Sequence, residues 1–206
     1  MRHIIELKDG WQFTNLDGQT SEVSIPHTWN AIDGQDGGDD YKRGTCTYTL
    51  ALQKPEFDPD TQEVWIEFDG VNASAQVSLN GQDVCSHDGG YSTFRANLTG
   101  LLADENELVV KADNSKNDRV YPQMADFTFY GGIYRDISLM VVSRNHIALG
   151  HFGDTGVKIT PALKDGKADI RVETIVEGEG AVSVELQDAA GSIVARAEGA
   201  DAQLHL

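Results

Sequence analysis

The sequence predicts an all-β protein, and three observations support this fold class. Short runs of residues alternate between apolar and polar with a period of two, which is the period of a half-buried strand. Segments rich in Gly, Asn and Asp separate these runs and are typical of turns. An amphipathic helical pattern longer than a turn or two is missing throughout the 206 residues. We therefore expect strands joined by turns and two longer loops.

Three strands of the first part of the chain follow directly from this alternation. The stretch EVWIEFDG places one residue in two on an apolar face, and NELVVKADN repeats that pattern. In AQVSLNGQDV the strand runs into Asn80–Gly81, which predicts a hairpin turn of the primed type. The residues expected to point inward are Val64, Ile66, Phe68, Ala75, Val77, Leu79, Leu108, Val110 and Ala112.

The last strand of this part follows the stretch ADFTFYGGIYRDISL, residues 125 to 139. From Ile133 onward, alternate residues predict a strand whose apolar face also carries Arg135. Gly131 and Gly132 permit a bulge or a close approach of the backbone. Asp126 precedes this strand, so we expect the aromatic run at the rim of a sheet, where binding sites are commonly built.

After Arg144 the pattern changes to shorter strands with few aromatic residues, as in GVKITPAL, ADIRVETIV, AVSVELQDAAGSIVARA and AQLHL. These runs predict a second β-sandwich. A complete immunoglobulin-like sandwich needs about 100 residues and seven strands, and residues 144–206 provide fewer. We therefore predict domains at 1–143 and 144–206, the second of them truncated.

Composition limits the partners and the compartment. With 16 basic and 33 acidic residues the net charge is −17, which disfavours nucleic acid and anionic membranes. The two cysteines are too few for a disulfide framework, and we expect free thiols. The N-terminus MRHIIELKDGWQF lacks the apolar core of a secretory signal, so we predict a cytoplasmic protein.

Several stretches in fixed order resemble the N-terminal region of bacterial β-galactosidases of glycoside hydrolase family 2. They include IPHTWNAIDGQDGG, FDGVNASAQVSLNGQDV, HDGGYSTFRANLTGLL and FYGGIYRDISL. The resemblance implies a jelly-roll sugar-binding domain over residues 1–143, then an immunoglobulin-like domain, then a TIM barrel with two catalytic glutamates. The chain shows no βα alternation, so we expect a non-catalytic part of a β-galactosidase-like enzyme that is inactive alone.

The resemblance also implies the site residues. Asp126 matches an aspartate that binds a galactose hydroxyl and a monovalent cation, sodium, in the complete enzyme, and a carboxylate suits both tasks. Asp40, Tyr41, Arg43 and Phe129 are the other candidate substrate-binding residues, and no catalytic residue or further cofactor is expected here. The alternatives are a loop-capping role for Asp126, packing roles for the two aromatics, and an ion pair between Arg43 and a neighbouring aspartate.

Two departures from the family pattern mean that the resemblance does not fix the identity of the sugar. Thr47 precedes Tyr48 where relatives often have an aromatic, and Lys42 follows Tyr41 where a second aromatic is common. A β-glucuronidase or β-mannosidase type of relative therefore remains possible. So do a stand-alone carbohydrate-binding module and a purely structural segment. We further expect the remaining domains of a parent chain as partners, a homo-oligomer of the full enzyme, and a hydrogen-bonded loop role for His27.

Overall fold

The structure is a computed structural model that describes residues 2–34, 41–121 and 129–206. Within these ranges every regular element is a β-strand, which confirms the predicted all-β class. No described helix has the length and apolarity to cross a membrane. The chain divides into two compact units, Met1–Val142 and Ser143–Leu206, which are described in turn.

In the described part of the first unit, ten strands form two sheets. Four of them form one sheet in the order β1-β10-β5-β8, and six form the other in the order β3-β2-β4-β9-β6-β7. Their bounds are β1 His3–Glu6, β2 Trp11–Thr14, β3 Thr20–Val23, β4 Thr45–Leu52, β5 Gln62–Phe68, β6 Ser74–Leu79, β7 Gln82–Asp88, β8 Phe94–Asn97, β9 Asn106–Asp113 and β10 Ile137–Ser143.

The inward faces of both sheets form one hydrophobic core. The nine residues predicted to point inward are all buried, which confirms the alternation in β5, β6 and β9. Phe68 and Phe94 stack in this core with centroids 4.6 Å apart. Each large apolar side chain buried in this way contributes about 1.5–3 kcal/mol. The predicted turn is also confirmed, because Asn80 and Gly81 both have positive φ, at 54° and 77°.

The predicted start of the last strand is wrong. Strand β10 begins at Ile137 rather than at Ile133, and Arg135 is exposed instead of sharing the apolar face. The reason lies in contacts with other loops: the Arg135 guanidinium lies 5.4 Å from the Tyr134 ring centroid and donates to the carbonyl oxygens of Asp69 and Tyr91. These contacts draw the chain away from the ladder until Ile137.

The second unit contains seven strands in three small sheets, and all four predicted runs form strands. The sheets are β11-β14, β12-β13-β17 and β15-β16. A small core of Val172, Ala202 and Leu204 packs against the paired strands β15 and β16. Leu163 of strand β12 lies outside this core and is 83% exposed. The bounds are β11 His146–Ile147, β12 Val157–Lys164, β13 Lys167–Thr174, β14 Val176–Glu177, β15 Ser183–Gln187, β16 Ile193–Glu198 and β17 Asp201–His205.

Candidate functional site

One end of the first sandwich gathers segments that are distant in sequence. Antiparallel pairing of β4 with β9 sets Thr45 opposite Asp113, so the residues before β4 and after β9 meet at the same end. Residues 27–34 and 129–133 bond to each other at this end. We call the set formed by residues 27–34, 41–44, 129–133, Asn72 and Asn114 the rim. The candidate site residues that the structure describes all lie in it.

The segment 129–133 is fixed along its whole length by other segments. All five of its consecutive carbonyl oxygens accept a hydrogen bond. Side chains bond to the first three carbonyls: Asn30 Nδ2 to Phe129 at 2.9 Å, Asn72 Nδ2 to Tyr130 at 2.7 Å and Thr28 Oγ1 to Gly131 at 2.8 Å. Backbone amides bond to the last two: that of Asn72 to Gly132 at 3.0 Å and that of His27 to Ile133 at 2.7 Å. Buried backbone groups must find partners, and here side chains and loop amides provide them where no sheet ladder does.

The glycine pair allows this close approach, as the sequence predicted. A side chain at Gly131 would lie 2.7 Å from both Trp29 Cε2 and Asn114 Nδ2. At Gly132 the φ angle is +123°, and a side chain would meet the Tyr48 hydroxyl and the His27 carbonyl at 2.6 and 2.7 Å. Only glycine fits these two positions without displacing the rim.

Asn114 joins the segment 41–44 to the end of β9. Its Oδ1 accepts from the Gly44 amide at 2.9 Å, and its Nδ2 donates to the Lys42 carbonyl at 3.0 Å. The same Lys42 oxygen accepts from Trp29 Nε1 at 3.2 Å. Arg43 Nη1 donates to the Asn114 carbonyl at 3.2 Å. These bonds connect three parts of the rim, each by a side chain of one part and a backbone group of another.

His27 and Tyr48 form a neutral pair beneath the rim. The His27 Nδ1 and the Tyr48 hydroxyl are 2.8 Å apart, which confirms the predicted hydrogen-bonded role of His27. Burial lowers the pKa of His27 and raises the pKa of Tyr48, so both side chains are uncharged at neutral pH. The pair is therefore suited to holding structure rather than to binding a cation.

Three of the predicted site residues lie together in the rim. The rings of Tyr41 and Phe129 meet edge to face with centroids 6.1 Å apart. The Arg43 guanidinium carbon lies 5.8 Å from the Tyr41 ring centroid. Asp40 and Asp126 lie outside the described residues, as does the predicted pairing of Arg43 with a neighbouring aspartate. Among the residues described, no group of three His, Cys, Asp or Glu side chains gathers as a metal site would need.

Three buried asparagines at this end, Asn30, Asn72 and Asn114, were not predicted from the sequence. They are 0%, 4% and 3% exposed. Asparagine is mostly exposed in proteins, so burial at this level requires hydrogen-bond partners, and all three have them. The local sequence carries only a weak signal: Asn30 and Asn114 end the stretches PHTWN and VKADN, and Asn72 lies within DGVNAS.

A cleft of about 300 Å³ opens beside the rim. Its apolar lining comes from Phe13, Leu16 and Trp29, and Asn15 and Lys42 are among its polar residues. Phe13 and Trp29 stack at 6.1 Å between centroids with their planes 16° apart. Apolar ring surface beside amide and ammonium groups is a combination that can bind a sugar.

A family model described as the sugar-binding domain of glycosyl hydrolases family 2 matches residues 3–143. The chain belongs to glycosyl hydrolase family 2. The match covers nearly all of the first unit, including every segment of the rim. The resemblance noted from the sequence is thereby confirmed, and the relatives are both β-glucuronidases and β-galactosidases.

Two curated relatives and one solved structure illustrate the similarity of this family 2 chain. A β-glucuronidase of Bacteroides fragilis is 37% identical over 162 residues, covering 76% of the chain and 23% of the relative. A β-galactosidase of Thermoanaerobacter pseudethanolicus is 26% identical over 179 residues, covering 84% and 23%. The crystal structure of an FMN-binding β-glucuronidase from Faecalibacterium prausnitzii L2-6 superposes with a TM-score of 0.90 at 35% identity, covering 100% of this chain and 34% of that one. The family 2 chain thus spans about a quarter of the length of these curated relatives.

Proposed function

We propose that this chain is the non-catalytic N-terminal part of a retaining β-glycosidase and that its rim forms one wall of the sugar site. The match of residues 3–143 to a family 2 sugar-binding domain carries the proposal. The rim supports it physically, because its backbone is held by side chains from several loops before any ligand binds. A wall that is fixed in advance costs less ordering entropy when it meets a sugar.

Within this wall we assign sugar contacts to Asp126, Asp40, Tyr41, Arg43 and Phe129. A carboxylate at Asp126 accepts hydrogen bonds from two sugar hydroxyls or shares a sodium ion with other oxygens. The ring of Tyr41, with the buried Phe129 packed edge to face against it, offers apolar surface to one face of a sugar, and Arg43 offers hydrogen-bond donors to its hydroxyls. These assignments follow from the family resemblance and from the grouping of the three described side chains.

The chain supplies no catalytic residue in this proposal. Retaining glycosidases use two carboxyl groups about 5–5.5 Å apart, one as nucleophile and one as acid/base. The described groups that donate hydrogen bonds to segment 129–133 are side-chain amides, a hydroxyl and backbone N–H groups, none of which acts as a general acid or base near neutral pH. The remaining domains of a longer enzyme would provide the carboxyl pair, and a homo-oligomer of that cytoplasmic enzyme is our expectation for its assembly.

For the substrate we propose β-glucuronosides first and β-galactosides second. The most similar relatives reported above are named β-glucuronidases, at 37% and 35% identity. The β-galactosidase relative, at 26% identity, keeps the second candidate open. The two substrates differ at C6, which is a carboxylate in a glucuronoside and a hydroxymethyl group in a galactoside, and at C4, where their hydroxyl groups have opposite configurations.

The test is a substrate panel on the enzyme that contains this chain, with the isolated 206-residue chain measured in parallel. Nitrophenyl β-glucuronide, β-galactoside and β-mannoside are compared by kcat/KM. We expect turnover of the glucuronide to dominate, and the isolated chain to match a buffer blank. Repurified isolated chain that still hydrolyses a glycoside would contradict the non-catalytic role, and an enzyme without activity on the whole panel would contradict the proposed reaction.

A stand-alone carbohydrate-binding module is the second candidate, and the cleft lined by Phe13 and Trp29 favours it. The two functions separate in a titration of the isolated chain with glucuronic acid and with galactose. Our proposal predicts no saturable heat, because a single wall does not enclose a sugar. Saturable binding that Trp29→Ala removes would favour the module instead.

A further inference from the structure

The rim contains two asparagines that bond to neighbouring carbonyls of one segment from opposite loops. Asn30 Nδ2 donates to the Phe129 carbonyl at 2.9 Å, and Asn72 Nδ2 donates to the Tyr130 carbonyl at 2.7 Å. Asn30 Oδ1 also accepts from the Gly131 amide at 2.7 Å. Asn30 therefore bonds to two consecutive peptide groups, 129–130 and 130–131, and Asn72 bonds to the carbonyl oxygen of the second.

Each asparagine is itself held in place. The Thr28 hydroxyl lies 2.9 Å from Asn30 Oδ1 and 2.8 Å from the Gly131 carbonyl, so it braces both partners. The backbone of Asn72 pairs with Gly132 in both directions, at 3.0 and 3.2 Å. Both side chains are nearly inaccessible, at 0% and 4% exposure. Their amide orientation is fixed by the partners, since each Nδ2 faces a carbonyl oxygen.

This arrangement places the side chains that we assign to the sugar wall. Phe129 is 7% exposed and packs against Tyr41, whereas Tyr130 is 40% exposed. Successive residues of an extended segment point to opposite sides. A rotation of the peptide group that carries the Phe129 or the Tyr130 carbonyl would therefore move the rings of both residues. No sheet ladder is available to resist that rotation, because the segment precedes β10, which begins at Ile137.

We propose that Asn30 and Asn72 are positioning residues for the sugar wall, each acting by holding one carbonyl of the segment 129–133. The inference rests on the proposed function for its kinetic consequence. It goes beyond that function because it assigns the positioning of the side chains in the sugar wall to two buried amides that do not touch the sugar. Misplacement of a binding group by about 1 Å can cost up to 100-fold in rate, so the effect is measurable.

The test replaces the amide by a carboxyl of the same shape, as Asn30→Asp in the complete enzyme. The remaining oxygen still accepts from the Gly131 amide, but an ionised carboxylate has no donor for the Phe129 carbonyl. A protonated carboxyl regains that donor, and burial beside a carbonyl oxygen favours protonation. We expect kcat/KM to fall about 10- to 100-fold at pH 8, and the ratio of variant to wild type to recover as the pH is lowered to 5.

Asn106→Asp is the matched control. Asn106 is also buried, at 7% exposure, with Oδ1 accepting from the Ala103 amide at 2.8 Å and Nδ2 donating to the Ala103 carbonyl at 2.9 Å. It opens β9 at the end opposite the rim. The control therefore carries the same chemical change and a similar loss of stability, and we expect its activity ratio to stay near that of the wild type at every pH.

Asn72→Asp provides the second variant, because its backbone pairing with Gly132 survives the substitution. We expect the same loss at pH 8 and the same recovery in acid. If both rim variants lose activity no more than Asn106→Asp does, or lose it equally at all pH values, the positioning role is refuted.

An exchange measurement separates this inference from the proposed function. Hydrogen exchange of the Gly131 and Gly132 amides needs no substrate, so it reports on the segment even if the enzyme hydrolyses none of the panel. We expect Asn30→Asp to accelerate exchange at these amides at least 10-fold relative to Asn106→Asp at pH 8. Equal exchange in the two variants would overturn the inference whatever the enzyme turns out to hydrolyse.

Discussion

Gly131→Ala tests how closely the rim is packed. The added methyl group would lie 2.7 Å from Trp29 Cε2 and from Asn114 Nδ2, whereas ordinary contacts are about 3.5–4.0 Å. The Trp29 indole must therefore move by about 1 Å. This movement is opposed by the hydrogen bond from its Nε1 to the Lys42 carbonyl and by the stacking of its ring on Phe13. Overpacking of this kind costs about 1–3 kcal/mol.

For a unit of this size that cost corresponds to a fall in Tm of about 3–10 °C. The assay is thermal unfolding of the 206-residue chain followed by circular dichroism. Gly100→Ala is the control, because a side chain there meets nothing within 4 Å. Its Tm should stay within about 1 °C of the wild type or rise slightly. A Gly131→Ala chain that unfolds at the temperature of the control would refute the close packing of segment 129–133 on Trp29.

Two further predictions concern pH and local stability. Because burial lowers the pKa of His27, the folded chain resists a proton that the unfolded chain accepts near pH 6.5, so stability falls as the pH drops from 7 towards the lowered value. His27→Gln should flatten this fall between pH 7 and pH 5 in thermal unfolding, and an unchanged slope would contradict the assignment. Hydrogen exchange should be faster after Ser143 than before it, because the core cluster of Val172, Ala202 and Leu204 in the second unit is much smaller than the cluster between the two sheets of the first unit. Equal protection of the amides in both units would contradict this prediction, because it would show that the smaller core stabilises the second unit as well as the larger core stabilises the first.

The strands could be predicted because their signal is local. Alternation alone identified the buried faces around Phe68, Leu79 and Leu108, since one residue in two meets the core. The turn at Asn80–Gly81 was equally clear, because few residue pairs adopt two positive φ angles in succession. The apolar–polar period of a strand and the residue types of a turn depend on a few neighbouring residues, so both can be recognised without knowledge of the fold.

The rim could be predicted only in part, because its bonds are long-range. Asn30 bonds to residues about a hundred positions away in sequence, at Phe129 and Gly131. Nothing near Asn30 distinguishes it from an exposed loop residue. The start of β10 was wrong for a similar reason, since the contacts of Arg135 with Asp69 and Tyr91 come from other loops. The glycine pair was the exception, because close approach is a property of glycine itself.

Asp126→Asn in the complete enzyme tests the central claim most directly, namely that this chain contributes a wall of the sugar site. The amide keeps the size of the side chain but loses the charge that strengthens hydrogen bonds to a sugar and binds a cation. A charge-assisted hydrogen bond is worth about 1.5–3 kcal/mol, so we expect kcat/KM to fall about 10- to 150-fold with an unchanged Tm. Asp83→Asn, at an exposed position of β7, is the control and should change neither quantity. Unchanged kinetics for Asp126→Asn, or a loss of activity that only follows a loss of Tm, would contradict the claim.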